Sequence, residues 1–110
     1  MYHEELKQRF FQEINWSKST ISRNQKYFSL IGKTEEIFHK DVAEMTIDEL
    51  VCAIKGTHKG TGIELYESTY ALKQYLSWYN SIFNDSLSKQ RETIIHQFDP
   101  LDYAEELIDF

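Results

Sequence analysis

The sequence predicts an all-α fold, a bundle of four to five helices in one domain. Three observations carry this. Glycine and proline are scarce, four and one among 110 residues, whereas all-β folds need both in their many turns. Apolar residues recur at steps of three and four along most of the chain. Two Trp, seven Tyr and seven Phe supply large buried surfaces, enough for a single core without disulfide or metal staples.

The elements follow in order. From Tyr2 to Ile14, Leu6, Phe10 and Ile14 make one apolar stripe with Phe11 beside it, and Asn15-Trp16-Ser17 interrupts it. A second helix starts near Ser17 or Ser19, both good N-cap types, and carries Ile21, Tyr27, Phe28, Ile31 and then Ile37-Phe38. Gly32 inside it either ends the helix before Thr34-Glu35-Glu36 or is tolerated at about 1 kcal/mol relative to Ala. Thr46-Ile47-Asp48-Glu49 reads as a capping box, with Met45 and Leu50 at the spacing of a hydrophobic staple. Leu50, Val51 and Ile54 then face inward, and the helix stops before Lys55-Gly56. Lys55 to Gly62 reads as an exposed, mobile loop. The fourth helix spans about Glu64 to Phe83, with Leu65, Tyr66, Thr69, Leu72, Leu76, Tyr79 and Phe83 in steps of three or four and Tyr75, Trp78 and Ile82 widening the stripe. An apolar arc that wide belongs at the centre of a bundle. Ser86 to Phe98 reads as a fifth, weaker helix around Leu87, Ile94, Ile95 and Phe98. Asp99-Pro100 then opens a short acidic amphipathic helix ending, still apolar, at Phe110. The expected division is 1–98 as the helical domain and 99–110 as an acidic tail or a linker to an absent domain.

Composition narrows the function classes. Cys52 is the single cysteine, so no intrachain disulfide forms, which suits a reducing compartment. No apolar run reaches the roughly 18–20 residues of a membrane span, and Met1 to Glu5 lacks the apolar stretch of a signal peptide. The expected location is cytoplasmic, with no membrane partner. The net charge is −6, which at first opposes nucleic acid. Its distribution weakens that objection: five of the acids lie between Asp99 and Phe110 without a base, while residues 15–40 hold Lys18, Arg23, Lys26, Lys33 and Lys40 against Glu35 and Glu36.

No chemistry for catalysis assembles from spacing alone. His3, His39, His58 and His96 form no i, i+4 zinc pair, and His39, Asp41 and Glu44 read as a solvated cap region rather than a metal site. No cofactor is expected. Cys52, between Val51 and Ala53, reads as a small buried hydrophobe. The Gly-rich stretch 55–62 lacks the ending and the preceding strand of a P-loop. Tyr66, Tyr70, Trp78 and Tyr79 offer faces for base stacking, but most fall on the inward stripe. Tyr70 and Trp78 are the two expected to be partly exposed. For phosphate contact the candidates are Lys18, Arg23, Lys26, Lys55, Lys59 and Lys73, with Lys33 nearby.

From Ser17 to Asn80 the chain resembles the core-binding, SAM-like domain of tyrosine recombinases (phage integrases). A Ser/Thr-led helix, Ser19-Thr20-Ile21 to Ile31, comes first. Lys40-Asp41-Val42 and Met45-Thr46-Ile47-Asp48-Glu49-Leu50 follow, then the polar loop 55–62. The last piece is Ser68-Thr69 leading Tyr70-Ala71-Leu72-Lys73-Gln74-Tyr75-Leu76-Ser77-Trp78-Tyr79, similar to the family's closing helix. The resemblance implies an orthogonal bundle that forms half of a clamp around double-stranded DNA, with Lys and Arg on two helices touching the duplex and a separate domain cutting it. The chain's three arginines stand in no Arg-x-x-Tyr or His-x-x-Arg element, so the implied catalytic set is not assignable here. The implied protein is a recombinase fragment, or the N-terminal part of a phage protein that kept the fold and lost the chemistry. Two other classes stay open from the residues: a protein-interaction module docking through residues 100–110, and an enzyme built on the 55–62 loop.

Overall fold

A computed structural model describes residues 3–57 and 62–97. The helices are α1 (Glu4–Glu13), α2 (Lys18–Phe38), α3 (Ile47–Lys55), α4 (Gly62–Ile82) and α5 (Ser88–Gln97), with a 3-10 turn at Val42–Glu44 between α2 and α3. Among the described residues there is no strand, and the fold is the all-α bundle expected, with five helices. No described helix is long and apolar enough to cross a membrane. Phe98, the tail 99–110 and the loop residues 58–61 lie outside the described residues.

Each boundary has a local cause. Ser17 caps α2 by accepting from the Thr20 amide at 3.3 Å. The helix continues through buried Gly32, because Phe28, Ile31 and Glu35 form one unbroken inward row whose burial outweighs the glycine's cost. It closes at His39, which takes the left-handed conformation and returns its amide to the Glu35 carbonyl. Asp41 caps the 3-10 turn through the Ala43 amide at 2.9 Å. The capping box at α3 is present in both directions: Glu49 donates its amide to Thr46 Oγ1 at 3.3 Å, and Thr46 donates its own to Glu49 Oε1 at 2.9 Å. The Thr46 amide first, then the Lys40 ammonium, which donates to the same oxygen at 3.0 Å, hold the Glu49 carboxyl below its usual range.

α4 is the central helix and packs on all four others and on the 3-10 turn. Its Ala71, Leu72, Tyr75 and Leu76 are buried against Phe10, Phe28, Ile31, Leu50 and Ile54. Phe10 holds the middle: the rings of Phe11, Trp16, Phe28, Tyr75 and Trp78 surround it at centroid distances of 5.3 to 6.1 Å. Most of these pairs are tilted or edge-on, the arrangement ring quadrupoles favour. At the other end Arg91 ties α5 to the α4 terminus, donating from Nη2 to the Phe83 carbonyl at 3.0 Å and to Asp85 at 2.8 Å.

Several expectations are corrected. Cys52 is exposed, since Leu50, Val51, Ala53 and Ile54 take the inward arc of α3 and leave position 52 outside. Thr57 is buried and its hydroxyl donates to the Ile54 carbonyl, so the polar loop starts later than Lys55. Ile37, Tyr66 and Leu87, placed on inward stripes from their spacing, are exposed. Asp41 belongs to no solvated cap region; it is fully buried.

Candidate nucleic-acid interface

α2 separates its residues by type around the axis. At about 100° per residue, Lys18, Ser22, Lys26, Ser29 and Lys33 fall within about 80° of one another. All five are exposed, and Phe28, Ile31 and Glu35 occupy the opposite, buried side. Between Lys18 and Thr34 there is no carboxylate. Three lysines and two serine hydroxyls therefore share one outward face, with Arg23 on its flank. Among the described residues Lys18, Lys26, Lys33, Lys55 and Lys73 make no ion pair.

α4 lies against that flank. The Tyr27 hydroxyl donates to Glu67 Oε2 at 2.7 Å, and Arg23 Nε stands 3.4 Å from the same oxygen. These bonds make a seam between α2 and α4. Beyond it Tyr66, Tyr70, Lys73 and Ser77 share an outward arc of about 60°, with Tyr70 57% exposed and Tyr66 47%. Tyr70 is exposed and Trp78 half-buried, as the sequence predicts, while Tyr79 is core.

The structure thus brings Lys18, Arg23 and Lys26 together on one helix, and carries Lys73, half-exposed, on the helix beside them. Lys55 is exposed at the last turn of α3, a separate element from the seam. Lys59 lies outside the described residues. Glu67 and Tyr27, which fix the seam, were not among the candidates; they are 40 residues apart, and neither has a neighbour in sequence that signals the pairing.

A second cluster faces inward. Lys7 of α1, Glu35 of α2 and Asp41 are fully buried. The Lys7 ammonium donates to Glu35 Oε2 at 2.7 Å and to Asp41 Oδ1 at 2.6 Å. Glu35 Oε2 also accepts the Val42 amide, and the Tyr75 hydroxyl donates to Asp41 at 3.2 Å. Two carboxylates against one ammonium leave the site formally one charge negative, and Glu35 Oε1 is buried without a hydrogen-bond partner. Burial pushes the Glu35 carboxyl up to about 7 against the opposing pull of Lys7. Burial first, then the Asp41 charge, pushes the Tyr75 hydroxyl above its ordinary range. This cluster ties α1, α2, the 3-10 turn and α4 to one another behind the basic face.

The geometry defines a class: a small helical domain whose second helix offers an outward basic side, mounted on a rigid aromatic core. The chain belongs to the family described as MrpR, N-terminal core-binding domain, whose model matches residues 1–81. That is a core-binding domain family of the integrase and recombinase type, and the match covers α1 through nearly all of α4. No curated protein and no solved structure matches the chain.

Proposed function

We propose that the chain is the DNA-binding, core-binding domain of a phage-integrase-like site-specific recombinase, gripping duplex DNA and leaving bond breakage to another module. The observation that carries this is the outward face of α2, which holds no carboxylate from Lys18 to Thr34 and meets its first, Glu36, only in the last turn. Lys18 and Lys26 stand there as phosphate contacts, with Arg23 at the flank, Lys73 across the seam, Lys55 at the end of α3, and Lys59 four residues further along the chain. Phosphate contacts position a duplex without reading it, and the exposed serines between the lysines add neutral donors. Residues 99–110 serve as the link toward a catalytic domain or a protein partner. The domain works in the cytoplasm, where its DNA is.

The test is fluorescence anisotropy with a labelled random-sequence duplex, titrated over a range of salt. Affinity is expected to fall steeply with salt. Lys18→Ala with Lys26→Ala should flatten the log–log slope by about 1.8, roughly 0.9 for each phosphate lost. No binding at low ionic strength, or a slope that the double variant leaves unchanged, overturns the reading.

A further inference from the structure

Across residues 18–34 of α2 and 66–82 of α4, Glu67 is the single carboxylate, set against Lys18, Arg23, Lys26, Lys33 and Lys73. It does not hang in solvent as an ordinary surface acid does. The hydroxyl of Tyr27, a residue only 9% exposed, holds its Oε2 at 2.7 Å. The same oxygen faces Arg23 Nε at 3.4 Å. Isolated exposed pairs of this kind contribute little to stability, so folding alone gives weak reason for an acid at this place. Its electrostatic effect on an incoming polyanion is larger. A phosphate that approaches Arg23 meets a fixed negative charge immediately behind the guanidinium, and one edge of that guanidinium is already occupied. Among the described residues nothing pairs with the Nη fork, and a fork is what matches a guanine edge in the major groove.

We infer, on the DNA-binding reading above, that Glu67 is a specificity-determining residue: it withholds Arg23 from the DNA backbone, lowers sequence-independent affinity for duplex, and reserves the arginine for a base edge. Arg23 thereby differs in role from Lys18 and Lys26, which meet the phosphates unopposed. A carboxylate at the centre of a basic face is a repulsive element against the wrong contact, one of the two ways an interface gains selectivity.

Glu67→Gln tests this, because glutamine keeps an acceptor for Tyr27 and removes the charge. With a random-sequence duplex the variant should bind tighter than the parent, and the salt slope should steepen by about 0.9 as Arg23 gains a phosphate. The advantage should then be about 3.5-fold larger at 50 mM than at 200 mM salt. Adding Arg23→Ala to Glu67→Gln should abolish the gain, whereas Arg23→Ala alone should change random-duplex affinity less than about twofold, since a withheld arginine makes no phosphate contact to lose. Equal melting temperatures of parent and Glu67→Gln establish that the seam still folds, and Arg23→Ala alone tests the same claim with Glu67 intact. Parent-like affinity and slope for Glu67→Gln, a gain that survives Arg23→Ala, or a large loss in Arg23→Ala alone each overturn the inference while duplex binding by the parent stands. A parent protein that binds no duplex overturns both readings together.

Discussion

Replacing Glu35 by Gln should remove most of the dependence of stability on pH between 5 and 8. The carboxyl is fully buried, and its folded pKa is raised from 4.5 to about 7. In that window the native state holds a proton that the unfolded chain has released. Stability is therefore complete below the unfolded value and is lost as pH rises through the folded one. Integrating between those two values, the native state loses roughly 2–3 kcal/mol from pH 5 to pH 8 through this group alone. The acids held below their usual range, Glu13 chiefly by Arg9, Glu49 chiefly by the Thr46 amide and Asp85 chiefly by Arg91, act in the opposite sense. Their contributions are lost only as pH falls below their ordinary values, outside the window. Urea denaturation followed by circular dichroism at several pH values reads the difference directly as a shift in midpoint at constant m. Wild type should decline with pH and Glu35→Gln should stay nearly flat, because Gln reproduces the neutral acid and still offers an oxygen to Lys7 and Val42. A decline in the variant as steep as in wild type, or a wild type that gains stability over the range, would refute the reasoning.

Lys7→Met should cost about 3–5 kcal/mol at pH 8, the cost of leaving buried carboxylates without their cation. The loss should be smaller at pH 5 and partly relieved by adding Glu35→Gln; a change under about 1 kcal/mol at pH 8 in the same denaturation assay would contradict it. Thr46→Ala removes the acceptor for the Glu49 amide and should destabilise by about 1 kcal/mol, measured as a drop in urea midpoint; an unchanged midpoint would mean that α3 is fixed by packing alone.

What could be read from the sequence was local. The Thr46–Glu49 box spans four residues and its partners lie within one turn, so spacing alone specifies it. The Ser17 cap and the inward rows of α2 and α4 are legible for the same reason. The buried cluster was not legible, because Lys7 donates across 28 residues to Glu35 and across 34 to Asp41. A signal did exist: Lys7 shares the inward side of α1 with Phe10 and Phe11, and Glu35 continues the row of Phe28 and Ile31. A charge on an apolar row must find a counter-charge or leave the row, and here two such charges of opposite sign satisfy each other. The errors at Tyr66 and Ile37 have the reverse cause. Both fit a helical apolar spacing, but an element wide enough to cover the whole arc would be needed to bury them, and the neighbouring helices cover only part of it.

The net charge of −6 also misleads unless the acids are located. Glu35 and Asp41 are consumed in the core, where their charge meets Lys7 and never faces a ligand. Glu13 pairs with Arg9, Glu49 with Lys40 and Asp85 with Arg91, each with a base outside the α2 face. Five more acids lie in residues 99–110. At physiological salt a charge is felt over about 8 Å, so a phosphate at the outward side of α2 responds to Lys18, Lys26 and Lys33, to Glu67 at the seam and, at the last turn, to exposed Glu36, not to the sum over the chain. An acidic protein can in this way present a basic surface, and the sign of the whole decides little about what the face will hold.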